Sequence, residues 1–410
     1  MANQKKILLL DTGNEWGGGT NSLLELLKRI DRQQFDILCC FYHNYRRGQG
    51  DSIGDVLVSL DIPVMFITQR RQPRWAKVLK ELMRSLVFFN RAWRLNATRW
   101  VDTLWRIQPN AKKIRQALVQ HNSDLLYMNN QPGSNAEGYL AAEGLPVTVV
   151  QHCRIEPVLN HDLVEMVNRR GDAVIAVSYG VRDVLLANGV AAEKCFTVFN
   201  AIDIFQPLPP REQMRKQLLD VDDSTFVFGS IGSLIARKSN HHILQALGKF
   251  AAAFPQARWK MVILGEGPDL EALQRQATQA GIADRVIFTG FRSNALEYLA
   301  AFDVFILASK SEGLPRVVLE AMLLNTAVIG SRVTGTAELI THDVTGLLFD
   351  YGDTDALSER MKTLYLDADK RNTLLQQANA NVKAHYAIEH YVAGVETILK
   401  NASHGNSSHV

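Results

Sequence analysis

One stretch, Phe302 to Leu324, restricts the fold more than any other part of the chain. A short apolar run, Val304 to Ala308, is bounded by polar residues and predicts a buried strand. It breaks into Ser309-Lys310-Ser311-Glu312-Gly313, a polar loop. Pro315 then marks the first position of a helix, where its fixed φ fits and its missing N–H costs nothing. Val318, Leu319, Met322 and Leu323 repeat at helical spacing, giving strand, loop and helix with Glu312 in the loop and Glu320 inside the helix. The unpaired N–H groups of such a helix start, around Gly313 and Leu314, form a site for phosphate. A carboxylate beside a phosphate is repelled by it, so Glu312 and Glu320 are read as acceptors for hydroxyl groups. A ligand with a central diphosphate and hydroxylated rings on both sides fits that layout, which is a sugar nucleotide.

At 410 residues the chain is too long for one ordinary core and predicts two or three domains. Its 47% hydrophobic and 21% charged residues are those of a soluble globular protein, and a net charge of +3 gives no argument for nucleic acid. No apolar run reaches the roughly 18 residues of a membrane span. Ile7 to Leu10 is too short for a signal-peptide core, so a cytoplasmic location is expected. Cys39, Cys40, Cys153 and Cys195 show no metal-ligand spacing and are read as small buried hydrophobes.

Ile7 to Leu10 forms a first strand, ending at Asp11 before a loop with Gly17, Gly18 and Gly19 and a helix from about Thr20 to Ile30. This is a weak phosphate-type signal, because the loop lacks both the Gly-Lys-Ser/Thr ending and the full G-x-G-x-x-G spacing. Strands follow at Phe35 to Tyr42, Pro63 to Ile67, Leu125 to Met128, Val147 to Val150 and Val174 to Val177, and the alternation with helices indicates a parallel sheet. His152 sits just beyond the Val147 strand, at the carboxyl end where open α/β sheets bind ligands, and reads either as a site residue or as a structural hydrogen-bonder. Ser178 reads as a helix cap.

The region Arg70 to Val119 differs from the rest, with thirteen Lys or Arg against only Glu81 and Asp102, and four of the six tryptophans. Trp75, Val78, Leu79, Leu82, Met83, Leu86 and Val87 fall on one face of a helix. Two readings stand. The stripe packs on its own domain under a solvated basic face, or Trp75, Lys77, Lys80, Arg84, Arg91, Trp93 and Arg94 meet an anionic membrane and a lipid-linked acceptor.

Asn200, Asp203, Pro207, Pro209 and Pro210 read as a linker, after which the alternation restarts at Phe226 to Ile231. Two doubly wound Rossmann-like halves follow, spanning 1–205 and 206–385, with ligand expected in a cleft between them. Gly232 ends the first strand of the second half, and Arg237-Lys238 lie in the loop before the next helix, where two cations suit a diphosphate. Gly265-Glu266-Gly267 resembles half a dinucleotide fingerprint and is read as a turn that lets a base or ribose approach. Asp220-Val221-Asp222 has D-x-D spacing but sits in a polar linker, so a surface turn is favoured and no metal is expected. Glu338 falls at another helix start after Gly335, a short strand follows at Gly346 to Phe349, and three helical stretches and a disordered tail, 402–410, close the chain.

Together, Gly17-Gly18, Arg237-Lys238, Gly265-Glu266-Gly267 and above all Glu312-x7-Glu320 resemble the retaining glycosyltransferases of family 4, with the GT-B fold. The segment SEGLPRVVLEAM carries the likeness; the glycine loops are unspecific. The resemblance implies that Glu320 holds the donor ribose, that Glu312 contacts the donor sugar, and that Arg237 and Lys238 neutralise the diphosphate. It also implies that Gly313 and Leu314 meet the donor through their backbone, that His152 lines the donor-sugar site, and that a last helix near 386–401 crosses back to the first domain. The implied reaction is metal-independent transfer of a sugar from a donor such as a UDP-sugar to a saccharide or lipid-linked saccharide acceptor, in cell-surface polysaccharide or lipopolysaccharide assembly. The cell membrane's inner face is then a candidate location. A GT-B epimerase or phosphorylase, or an inactive sugar-nucleotide-binding scaffold, are the rival readings. Departures from the family pattern lie in loops: Ser239 where glycine is usual, Ala201 likewise, Thr336-Ala337 for Gly-Pro, and Asn325-Thr326-Ala327 for Gly-x-Pro.

Overall fold

A computed structural model describes residues 4–13, 16–70, 75, 78, 103–222 and 224–404. The chain divides into two compact units. One comprises Met1–Ala176, Arg182–Phe196 and Val395–Val410, the other Val177–Val181 and Thr197–Gly394.

In the first unit seven strands form one sheet: β1 (Lys5–Asp11), β2 (Phe35–Phe41), β3 (Val64–Phe66), β4 (Leu125–Asn129), β5 (Thr148–Cys153), β6 (Ala173–Ala176) and β7 (Cys195–Thr197). Their order is β3-β2-β1-β4-β5-β6-β7, with parallel pairing from β3 through β6. Both faces of β1 are covered, which is why Ile7 to Leu10 is an unbroken apolar run with no residue more than 2% exposed. The Gly18–Arg29 helix turns Leu23, Leu24, Leu26 and Leu27 inward.

The second unit repeats the plan with β8 (Phe226–Ile231), β9 (Trp259–Leu264), β10 (Val286–Gly290), β11 (Val304–Leu307), β12 (Ala327–Ser331) and β13 (Leu347–Phe349), a parallel sheet in the order β10-β9-β8-β11-β12-β13. The Asn240–Ala253 helix packs Ile243, Leu244, Leu247 and Phe250 onto Phe228, Trp259 and Met261, each buried aliphatic or aromatic side chain contributing about 1.5–3 kcal/mol. Gly229 in β8 has no room for a side chain, because an added Cβ would fall 2.0 Å from the Phe302 ring. In each sheet the strand order reverses once, between β1 and β4 and between β8 and β11. Those reversals are where open α/β sheets leave a crevice at the strands' carboxyl ends.

Several expectations shift. His152 lies inside β5, not beyond it, because the strand runs on through Cys153. Pro315 is the residue before the Arg316–Leu323 helix and takes an extended conformation, so the helix starts one residue later than expected. β7 and β12 were not foreseen: β7 has only three residues, and β12 contains glycine and ends on serine, which hides its strand character. In the Arg70 to Val119 region, Trp75 and Val78 are helical and largely exposed, and Trp75 stacks edge-on with Trp105. The Gln108–Gln120 helix buries Ile114 and Leu118, and Arg106 pairs with Glu137 at 3.3 Å. Lys77, Lys80, Arg84, Arg91, Trp93 and Arg94 lie outside the described residues, as does the tail from 405 onward. Among the described residues no helix is long and apolar enough to cross a membrane.

Two loop departures coincide with left-handed backbone, at Ser239 (φ 51°) and Asn325 (φ 54°). Glycine is the usual occupant of such positions, and asparagine tolerates them best among the other residues. Asn325→Ala is therefore expected to lower stability by about 1 kcal/mol and Asn325→Gly to leave it nearly unchanged. Urea denaturation of both variants checks this, and equal losses would contradict it.

Candidate active site

In the second unit the carboxyl end of β8 gives way at Gly232, whose backbone is covered by the Lys238 stem, Cε lying 3.4 Å from where a Cβ would be. The turn Ala236–Lys238 then presents Arg237 and Lys238 to the loop that follows β11. One backbone and one side-chain hydrogen bond join the two loops: Lys310 N–H donates to the Arg237 carbonyl at 2.8 Å, and Arg237 Nη1 donates to the Ser311 carbonyl at 2.7 Å. Glu312 is the centre of the cluster. Its Oε1 accepts from Lys238 Nζ at 2.6 Å and its Oε2 stands 3.5 Å from Arg237 Nη1.

Burial by itself would raise the Glu312 pKa, but Lys238 and Arg237 outweigh it and hold the carboxyl below its usual value of 4.5. A depressed folded pKa means that this pairing stabilises the protein fully above pH 4.5 and is lost as pH falls through the lower, folded value. Thermal melts of wild type and Glu312→Gln are expected to differ at pH 7 and to converge on acidification below about 4.5. A gap that stays constant from pH 7 to 3 would contradict the pairing.

The neighbouring loops fix this arrangement in place. Gly265, at φ +139°, would drive a Cβ to 1.9 Å from the Gly232 carbonyl oxygen, and Gly267 would strike the Leu234 carbonyl at 2.2 Å. Close backbone packing therefore accounts for both glycines, where the sequence reading had a turn opened for a ligand. Gly335, at φ +77°, lies equally close to Gly313, with a Cβ falling 2.0 Å from its carbonyl oxygen. Asn200 Nδ2 donates to the Leu314 carbonyl at 3.0 Å, so the Gly313-Leu314 loop is held from two sides.

On the helix beyond, Glu320 stands 3.6 Å from Arg316, one turn back. Arg316 Nε and Nη1 are buried without a hydrogen-bond partner among the described residues. The sequence reading missed Arg316, although its i, i+4 spacing from Glu320 was visible. Asp222 spends its carboxylate on Ser224, Thr225 and Arg258, hydrogen bonds that draw its pKa down to about 2, so the Asp220-Val221-Asp222 stretch is a tied turn.

In the first unit Gly17 precedes the Gly18–Arg29 helix, and a Cβ on Gly17 or Gly18 would meet nothing within 4 Å among the described residues. Packing does not require glycine at either position, in contrast to Gly265, Gly267 and Gly335. Beside this helix start lies a buried polar network that the sequence reading did not anticipate. Asp11 accepts from Asn129 Nδ2 at 2.6 Å, from Asn130 Nδ2 at 2.9 Å and from the Gly13 N–H at 2.7 Å. Arg154, 5% exposed, donates from Nε to Asn129 Oδ1 at 2.6 Å, and its stem covers Gly19. His152 is fully buried, and burial followed by the nearby Arg154 charge pushes its pKa well below the usual histidine range. Ser178 Oγ accepts from the Val181 N–H, as expected of a cap.

Residues 210–381 match the family described as Glycosyl transferases group 1, and residues 16–205 match Glycosyltransferase Family 4. The chain belongs to the group 1, family 4 glycosyltransferases. This glycosyltransferase is 26% identical over 297 residues to N-acetyl-alpha-D-glucosaminyl L-malate synthase of Bacillus anthracis, covering 70% of this chain and 77% of that one. It is also 26% identical to the lipopolysaccharide core biosynthesis glycosyltransferase LpsE of Rhizobium meliloti, over 42% of this chain and 48% of that protein, and thus spans about half of it. Among solved structures, Anabaena Alr3699/HepE in complex with UDP and glucose superposes with a TM-score of 0.76 at 22% identity, covering 97% of this chain and all of that one. The lipopolysaccharide outer core galactosyltransferase WaaB superposes at 0.66 with 18% identity over 96% and 99%. The two parallel α/β units are those of the GT-B fold.

Proposed function

We propose that this glycosyltransferase moves a hexose or related sugar from a UDP-linked donor to a hydroxyl of a saccharide acceptor used in cell-surface polysaccharide or lipopolysaccharide assembly, retaining the anomeric configuration. The supporting observation is the Arg237–Lys238–Glu312 cluster at the β8/β11 reversal, beside the loop that opens the Arg316–Leu323 helix. Two cations and one carboxylate leave that cluster with a net positive charge facing a helix start, a setting for a diphosphate. As the bond from the anomeric carbon to the phosphate oxygen breaks, Arg237 and Lys238 take up the charge that gathers on the leaving UDP. The acceptor oxygen attacks from the same face and its proton passes to the departing phosphate. Glu320 accepts the ribose hydroxyls, with Arg316 holding it in place, and Glu312 holds the two cations and contacts the donor sugar. The first unit, which holds His152, Gly17 and Gly18, takes the acceptor.

The choice of UDP is supported by HepE, whose structure holds UDP and glucose. The pathway is supported by LpsE and WaaB, named for lipopolysaccharide core synthesis. A lipid-linked acceptor on an anionic membrane follows if the basic Arg70 to Val119 region binds lipid. Flotation with anionic vesicles at low salt tests that part; recovery of the protein in the lower fraction alone would remove it. For the reaction, UDP-glucose, UDP-galactose and UDP-N-acetylglucosamine are each incubated with saccharide acceptors. Acceptor-dependent UDP release with an axial, retained linkage by proton NMR is expected, and donor epimerisation or no release from any donor would overturn the reading.

A further inference from the structure

Arg316 opens the Arg316–Leu323 helix, and its side chain is only 12% exposed. Its Nε and Nη1 are buried and find no hydrogen-bond partner among the described residues. Its Nη2 faces Glu320 Oε1 at 3.6 Å, an ion pair too long for a hydrogen bond. The fold carries two costs at this position. A buried charged group whose N–H donors stay unpaired keeps its desolvation penalty, and a cation in the first turn opposes the positive end of the helix dipole. Folded proteins pair most such donors, so an orphaned guanidinium calls for a partner from outside the fold. An anion offsets both costs at once.

Which anion follows from the order of groups along the helix. The Gly313-Leu314 loop, beside the proposed diphosphate site, comes before it. Glu320, proposed to hold the ribose, comes one turn after Arg316, about 5.4 Å along the axis. In a nucleoside diphosphate the group between the ribose and the outer phosphate is the α-phosphate. We propose that Arg316 is a donor-binding residue that takes this α-phosphate, as a third cation beside Arg237 and Lys238. Those two are shared with Glu312, whereas the Nε and Nη1 donors of Arg316 are unspent among the described residues. A guanidinium at that point also screens the phosphate from the Glu320 carboxylate. Its planar fork matches two phosphate oxygens, which an ammonium does not. The assignment rests on the donor placement proposed above.

Titrations of uridine, UMP and UDP into wild type, Arg316→Met and Arg316→Lys, followed by ligand NMR, test it. UMP carries the α-phosphate and uridine does not. Arg316→Met is expected to weaken UMP and UDP by about tenfold or more and to leave uridine unchanged. Arg316→Lys should recover part of the loss, because it keeps the charge without the fork. Equal losses for all three ligands would show that Arg316 acts on the ribose through Glu320, and would overturn the assignment. Unchanged binding of UMP and UDP in Arg316→Met would overturn it too, while leaving the donor site itself standing. A wild type that binds none of the three would strike the donor site and Arg316 with it. Urea denaturation without nucleotide supplies a second readout. The midpoint of Arg316→Met is expected to be no lower than that of wild type, since an unpaired buried charge is removed. A lower midpoint would make Arg316 a structural partner of Glu320 and contradict the claim that its charge is unspent.

Discussion

Lys238→Ala is expected to lower turnover by about 10²–10³-fold, the cost of removing one fixed charge from a developing anion. Its ammonium is held 2.6 Å from Glu312 at the β8/β11 reversal, where we propose that the leaving diphosphate sits. The same substitution leaves a buried carboxylate with its remaining cation, Arg237, at 3.5 Å. Stability should therefore also fall, by about 1–3 kcal/mol, because a buried charge that loses a partner keeps its desolvation cost. The two effects separate in the double variant Lys238→Ala/Glu312→Gln. Its stability should return towards that of wild type, because the uncompensated charge is gone, while turnover stays low. Initial rates of UDP release and urea denaturation on the same samples measure both. Recovery of turnover in the double variant would mean that the loss came from unfolding and not from chemistry.

Gly335→Ala should have the next largest effect, and for a different reason. Position 335 has φ +77°, which costs about 1–2 kcal/mol for a residue with a Cβ. The added atom would also fall 2.0 Å from the Gly313 carbonyl oxygen, so the Gly313-Leu314 loop must move. Turnover is expected to fall together with stability. Gly352→Ala is the control, since φ is +89° there and no atom of the described residues lies within 4 Å of the new Cβ. It should carry only the conformational cost of about 1 kcal/mol and leave turnover unchanged. Equal activity in the two variants would show that the contact with Gly313 does not matter to the site.

The parallel sheets were legible because strands covered on both faces are written as short apolar runs. Ile7 to Leu10 and Val304 to Ala308 announced β1 and β11 in that way. Short strands such as Cys195–Thr197 give too few residues for a pattern. The Arg237-Lys238 pair and Glu312 were recognisable as charges in loops, but their union was not: residues 74 positions apart meet because β8 and β11 are neighbours. Sequence spacing holds no record of which strands adjoin. The glycines show the converse limit. Gly17, Gly265 and Gly335 look alike in sequence, yet among the described residues only the last two are demanded by backbone contact. The network from Asp11 to His152 was hidden for the same reason, since its members come from three separate strands and the loops after them.

Calorimetric titration of UDP into wild type and Lys238→Ala, in the presence of EDTA, tests the central claim most directly. Wild type is expected to bind UDP without divalent metal, and Lys238→Ala to bind it at least tenfold more weakly, a loss of about 1.4 kcal/mol or more. Equal affinity in the two proteins would contradict the assignment of the Arg237–Lys238–Glu312 cluster to the donor diphosphate.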